Sequence, residues 1–193
     1  ASPAPPREND TVSPSHPYAT SELEWCSLVF PADLLTRQIQ GEFRRVTTLF
    51  VNLQRLPIGD EAEAFAGLLF RLLAEQRGYL CRIGQIGERD RGGTLLLFWG
   101  APTSHERDVA AALRFALALR AASSIPVRVG ITTALAYAGF VGSAQREEYT
   151  CYGTHINLAA RQMVMADWGE IWLDDETKRL AGSDFVIEAH KRV

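Results

Sequence analysis

The chain has 193 residues, enough for one domain of ordinary size and a tail, and 47% of them are hydrophobic. Twenty lysines and arginines against twenty-three acids give a formal net charge of -3, which argues against a basic surface for nucleic acid. The longest apolar runs, such as TLLLFW at 94–99, are far too short to cross a bilayer. We therefore expect a soluble domain with neither a nucleic-acid nor a membrane partner.

The first 43 residues divide into two parts. Residues 1–20 carry five of the nine prolines among small polar residues, a composition that predicts a disordered linker. Residues 21–43 contain a short apolar run and a Pro31 break, and we expect this lead-in segment to pack across an edge of the domain. The domain itself is assigned to residues 44–193, and its C-terminus is expected to be cut short.

From residue 45 the pattern becomes regular. The β-branched run VTTLFVNL at 46–53 predicts a buried strand, and EAEAFAGLLFRLLAEQRG after it has the spacing of an amphipathic helix that stops near Gly78. LCRIGQI and TLLLFWG predict two strands joined by a polar loop. Ser104 then precedes a long alanine-rich helix to about Ala122, with one buried face that includes Leu117.

The second half continues the alternation of strands and helices. VRVGITTALAYAGFVG and REEYTCYG predict a hairpin with its tip at 143–145, THINLAARQMVMA a helix, GEIWL a strand and DDETKRLAG a short helix. Helices between antiparallel strands indicate an α+β fold of the ferredoxin-like kind, a mostly antiparallel sheet with helices packed on it.

Cysteine usage bears on the compartment and on metal. Cys26, Cys81 and Cys151 are odd in number, widely spaced and set among apolar neighbours, as expected for buried thiols in a reducing compartment. They lack the paired Cys/His spacing of a structural zinc site. The sequence thus favours a cytoplasmic location.

The ordered runs between residues 44 and 176 resemble the catalytic domain of class III adenylyl and guanylyl cyclases. The most specific of them is EYTCYGTHINLAAR at 148–161, which is similar to the EYTxxGxxVNLAAR run of that family. The lead-in FPADLLTRQIQGEFRRVTTLFVNL is similar to the junction before the second cyclase domain of soluble, bicarbonate-responsive adenylyl cyclases. The resemblance implies the cyclase fold and a tandem arrangement of two domains.

The resemblance also implies a metal site that this sequence has lost. Cyclases of this family hold two divalent cations, magnesium or manganese, with two aspartates, and the position of the first is Asn52 here. An amide lends one carbonyl oxygen but no charge, so it does not replace a bridging carboxylate. Glu88 and Asp90 are the acids nearest the second position, and solvated loop charges are the favoured interpretation of both. We expect no metal on the isolated chain.

The transition-state half of the site is better kept. By resemblance, Asn157 orients the ribose region and Arg161 contacts the phosphates as charge builds. Their spacing puts both side chains on one helix face, and a guanidinium suits a developing phosphate oxyanion. The alternative is the polar face of a surface helix, with Arg161 in an exposed salt bridge.

The resemblance assigns base recognition to two further positions. Thr150 fits one of them, and its hydroxyl can accept from the adenine amino group. Arg82 is the candidate for the other, where the family has lysine, and a strand-edge charge is its alternative explanation. These residues favour ATP over GTP.

Three functions remain open from the sequence. The leading hypothesis is a metal-deficient adenylate cyclase domain that completes the active site of a metal-bearing partner domain, or forms a weak homodimer. The others are a regulatory pseudo-cyclase that binds a nucleotide or small ligand, and a dimerisation module. We expect the isolated chain to be inactive, and the hairpin to reach a partner through Phe140.

Overall fold

The computed structural model describes residue 34 and residues 41–84, 92–143 and 145–189. The predicted linker, most of the lead-in segment, and the loop that carries Glu88 and Asp90 lie outside the described residues. The domain boundaries and the role of those two acids therefore stay predictions.

Six strands form one sheet, and four helices pack on it within the described ranges. The strands are β1 (Glu42–Leu53), β2 (Tyr79–Gly84), β3 (Thr94–Trp99), β4 (Val127–Ser143), β5 (Arg146–Tyr152) and β6 (Ile171–Leu173). The helices are α1 (Asp60–Gln76), α2 (Asp108–Ala122), α3 (Thr154–Met165) and α4 (Asp175–Ala181), with a 3₁₀ turn at Gly182–Asp184. The elements follow the predicted order.

The sheet is mostly antiparallel, which confirms the predicted fold class. Its main path runs β2-β3-β1-β4-β5, and β6 pairs with β4 in parallel. The β-branched run of β1 lies between β3 and β4. In this register Asn52 stands opposite Thr94 on β3 and Arg128 on β4.

The two faces of the sheet are covered differently. Leu49, Val51 and Leu53 point from β1 into the larger core, beneath α1 and α2. The opposite face holds a smaller core. In it, Phe98, Tyr149 and the lead-in residue Leu34 are buried together with the small side chains of Ala136 and Ala138. Burial of both faces explains why β1 lacks the alternating polar pattern of a half-exposed strand.

Two local predictions on helices need correction. The alanine-rich helix begins at Asp108, several residues after Ser104, because the Asp108 carboxylate accepts hydrogen bonds from the Ser104 hydroxyl and the His105 amide and holds a turn there. Leu117 is exposed on α2, since an alanine-rich helix can turn several weakly apolar faces to the core. The first helix ends near Gly78 as predicted: its last residue is Gln76, the left-handed residue after it is Arg77, and Gly78 leaves room for the indole of Trp99.

The described helices are also relevant to membrane insertion. None of those in residues 41–84, 92–143 and 145–189 is both long and apolar enough to cross a bilayer.

Candidate functional site

Helix α3 carries the two proposed transition-state residues, and β4 fixes its position. A side chain on Gly130 would lie 2.0 Å from the Ala159 carbonyl oxygen, so glycine there lets the helix backbone rest directly on the strand. Next along β4, the Thr132 hydroxyl donates to the His155 carbonyl at 2.8 Å. Ala159 and Met163 are buried at this contact.

The opposite side of α3 faces solvent. Asn157 and Arg161 are both exposed there, four residues apart, so their side chains project from the same side of the helix. Exposed apolar side chains flank them along this surface, which we call the α3 stripe: Leu158, Val164, Met165 and Trp168. The helix thus combines two polar groups suited to a nucleotide with apolar area that is not covered by the described chain.

Asn52, at the position that the sequence resemblance assigns to the first metal aspartate, is fully buried and hydrogen-bonded. The Asn52 amide donates to the Gly93 carbonyl at 3.2 Å, and its oxygen accepts from Arg128 Nε at 2.9 Å. Arg128 also donates to the Val164 carbonyl near the end of α3, and its guanidinium lies 4.6 Å from the ring centroid of Trp168. A permanent positive charge therefore lies where a metal ion would bind in a site built on this residue.

The strands with the proposed base contacts lie at opposite edges of the sheet, yet their side chains meet. The sheet curls over the smaller core, where Tyr79 of β2 donates to the Tyr149 carbonyl of β5 at 3.3 Å. The two rings pack edge to face with centroids 5.8 Å apart. The curl therefore brings the part of β2 that carries Arg82 close to the part of β5 that carries Thr150.

Arg82 and Thr150 have different partners within this contact. Arg82 forms an ion pair with Glu148, whereas the Cys81 thiol donates to the Thr150 hydroxyl with sulfur and oxygen 3.4 Å apart. Burial raises the pKa of the Cys81 thiol, and the hydrogen bond to Thr150 partly offsets this effect. Burial likewise raises the pKa of Cys151 to about 12. Both thiols are therefore neutral at pH 7.

The hairpin residue Phe140 lies against its own chain. Its ring packs edge to face on Tyr149, with centroids 5.6 Å apart, because the curl of the sheet covers this side of β4. The side chain is still partly exposed, and its contact with a partner stays a prediction. The large apolar groups left exposed near Asn157 and Arg161 are those of the α3 stripe.

Comparison with known proteins identifies the family. The model of the adenylate and guanylate cyclase catalytic domain matches residues 71–193. The chain belongs to this family. The match begins within α1, so β1 and Asn52 precede it.

Individual relatives agree with that assignment. The human adenylate cyclase type 10 is 29% identical over an alignment of 146 residues, which covers 66% of this chain and 9% of the human protein. An uncharacterized protein of Mycobacterium tuberculosis is 31% identical over 137 residues, covering 67% of this chain and 26% of that protein. The crystal structure of the adenylyl cyclase CyaB from P. aeruginosa has a TM-score of 0.59 and 21% identity, over 73% of this chain and 82% of that one. The chain spans 9% and 26% of the lengths of the human and mycobacterial relatives.

The described residues around Asn52 do not fit the divalent cations that the sequence resemblance implies. Beside Asn52 stand Thr94 at the start of β3 and Gly93 just before it, which offer no carboxylate, and the amide oxygen accepts a hydrogen bond from Arg128. No group of three or more His, Cys, Asp or Glu side chains is arranged to hold a metal in the described ranges. Hard divalent cations need several oxygen ligands, usually with carboxylate charge.

We predict that Asn52→Asp alone will not create a metal site. The new carboxylate lies within reach of Arg128 and will pair with its guanidinium. It cannot donate to the Gly93 carbonyl, so the free energy of unfolding should fall by about 1–3 kcal/mol. Calorimetric titration with Mn²⁺ and urea denaturation measure the two effects, and tight Mn²⁺ binding by this variant would contradict the prediction. Asn52→Ala is the control that removes the side chain without adding charge.

Sequence reasoning missed three residues at this candidate site. Arg128 is 76 positions from Asn52, and only the strand register joins them. Cys81 and Glu148 were not weighed as neighbours of Thr150 and Arg82, since a contact between the two edge strands leaves no local pattern. The one available signal for Glu148 was its place at the start of the EYTCYGTHINLAAR run.

Proposed function

We propose that the chain is a second-type adenylate cyclase domain, which holds no metal of its own and completes the active site of a metal-bearing partner domain. The assembled pair converts ATP to cyclic AMP and pyrophosphate. The observation that carries this proposal is a contrast between residue 52 and the exposed side of α3. Asn52 is buried and bonded to Arg128, whereas Asn157 and Arg161 are exposed on one side of α3.

The proposed chemistry needs only positioning and charge from this domain. The ribose 3′ oxygen loses its proton and attacks the α-phosphate while pyrophosphate leaves, and negative charge builds on the phosphate oxygens. Arg161 stabilises that charge with a guanidinium that stays ionised, and Asn157 orients the ribose region. Thr150 and Arg82 contact the base. Magnesium or manganese belongs to the partner in this scheme.

The exposure of the α3 stripe is an argument for a partner domain that covers this surface. Met165 and Val164 are more than half exposed, at 65% and 51%, and Trp168 lies at the same end of the helix. Contiguous exposed apolar area beside functional polar groups is typical of an interaction surface. We infer that the partner is a cyclase domain, in the same chain as in tandem cyclases or in another, within the cytoplasm.

The direct test is reconstitution. The purified chain alone should form negligible cyclic AMP with ATP and Mn²⁺. Mixing it with a first-type cyclase domain that has both metal aspartates but lacks its own transition-state arginine should produce cyclic AMP in proportion to complex formed. Absence of activity in a complex shown by sedimentation to be assembled would overturn the proposal, and ATP binding in that case would favour the regulatory pseudo-cyclase.

The chain offers a matched control for the partner surface. Leu158 on the α3 stripe and Leu117 on α2 are each 38% exposed, but they lie on opposite sides of the sheet. Leu158→Glu should weaken the complex, because the charge would have to be buried in the interface. Leu117→Glu should leave its dissociation constant unchanged.

A further inference from the structure

The ion pair between Arg82 and Glu148 joins the two outermost strands of the main sheet path. Arg82 is on β2 and Glu148 on β5, and both side chains remain partly exposed, at 58% and 37%. Next to Arg82 on β2, Cys81 donates to the Thr150 hydroxyl and lies 3.7 Å from the Tyr149 carbonyl oxygen. These contacts engage both side chains that are proposed to meet the base.

A nucleotide cannot use these groups while they bind one another. The Arg82 guanidinium is neutralised by Glu148, so it offers less attraction to a polyphosphate or to acceptor atoms of a base. The Thr150 hydroxyl already accepts a hydrogen bond from Cys81. Binding must therefore exchange internal contacts for contacts with the nucleotide. Because the ion pair is exposed, its net stability is small and the exchange is feasible.

We propose that the Arg82–Glu148 pair is a clasp that must open before the domain accepts a nucleotide, and that Glu148 thereby limits nucleotide affinity. The inference rests on the proposed function, since the clasp engages the side chains that are proposed to contact the base. In this scheme Glu148 opposes nucleotide binding, whereas Arg82 and Thr150 promote it.

Cys81 provides a way to observe the clasp without any nucleotide. Its thiol is partly buried and adjoins the pair, since Cys81 precedes Arg82 and contacts Thr150, and its raised pKa keeps the reactive thiolate scarce. Opening the clasp admits water and reagent to the sulfur, so alkylation of Cys81 should accelerate. Cys151 is more deeply buried and serves as an internal reference when labelling is followed by peptide mass spectrometry.

The first experiment measures labelling of Cys81 by iodoacetamide in the full chain. Glu148→Gln and Arg82→Gln each remove one side of the pair, and each should raise the labelling rate about twofold to fivefold, the range expected for an exposed ion pair. The matched control is Glu61→Gln, which breaks the exposed Arg55–Glu61 pair and should leave Cys81 labelling unchanged. Equal labelling rates in wild type and both clasp variants would overturn the proposal.

The second experiment measures ATP affinity by calorimetry without divalent cations. Glu148→Gln should bind ATP about twofold to fivefold more tightly than wild type, because Arg82 is released and a repelling carboxylate is removed. ATP should also protect Cys81 from labelling. Faster labelling without tighter ATP binding would overturn the claim that the clasp limits affinity. Failure of the wild-type domain to form cyclic AMP with its partner would instead remove the proposed function, so the two failures are separable.

Discussion

Arg161→Ala should lower the rate of cyclic AMP formation by the reconstituted pair of domains about a hundredfold to a thousandfold. That range is typical for removal of one preorganised group that stabilises developing charge in a transition state. Arg161 is exposed on α3 and its side chain lies away from the buried side of the helix, so the variant should fold normally. The measurement is the initial rate at saturating partner and ATP, with complex formation checked by sedimentation.

Two further variants separate charge from general damage. Arg161→Lys keeps a positive charge but loses the planar fork, and its rate should lie between those of wild type and alanine. Arg71→Ala removes another exposed helical arginine, which pairs with Glu75 on α1, and should leave the rate unchanged. A normal rate for Arg161→Ala would show that this residue contributes only to a polar helix surface.

Gly130→Ala should destabilise the domain and displace helix α3. The added carbon would lie 2.0 Å from the Ala159 carbonyl oxygen and 2.5 Å from the Met163 amide nitrogen. Both neighbours are helix backbone, so α3 as a whole must move. Overpacking of this kind should lower the free energy of unfolding by about 2–3 kcal/mol, measured by urea denaturation. Displacement of Asn157 and Arg161 should also slow cyclic AMP formation.

The same substitution at Gly67 should have the opposite effect. Gly67 lies inside α1, where a side-chain carbon would meet nothing within 4 Å. Replacing an exposed helical glycine by alanine reduces the entropy lost on folding, and should raise the free energy of unfolding by about 0.5–1 kcal/mol. Equal effects of the two substitutions would contradict the proposed close approach of α3 to β4.

Local patterns were sufficient to predict most of the fold. Strand β1 was found from its β-branched run, and α3 and α4 from helical spacing and the closing Gly182. These signals act over a few residues, and burial in the native structure reinforces them. The limits of α2 were less certain, because alanine favours a helix without defining which face is buried, and Leu117 was placed on the wrong side.

The sequence by itself determined the order of elements and the cyclase family, and it put an amide at residue 52. Only the tertiary structure decided which residues the side chains of Asn52 and Arg82 contact. Asn52 meets Arg128 because β1 and β4 pair in one register, and Arg82 meets Glu148 because the sheet curls over small alanines. Such contacts join residues far apart in the chain. They depend on register and curvature, which arise from the packing of the whole domain and have no local signature.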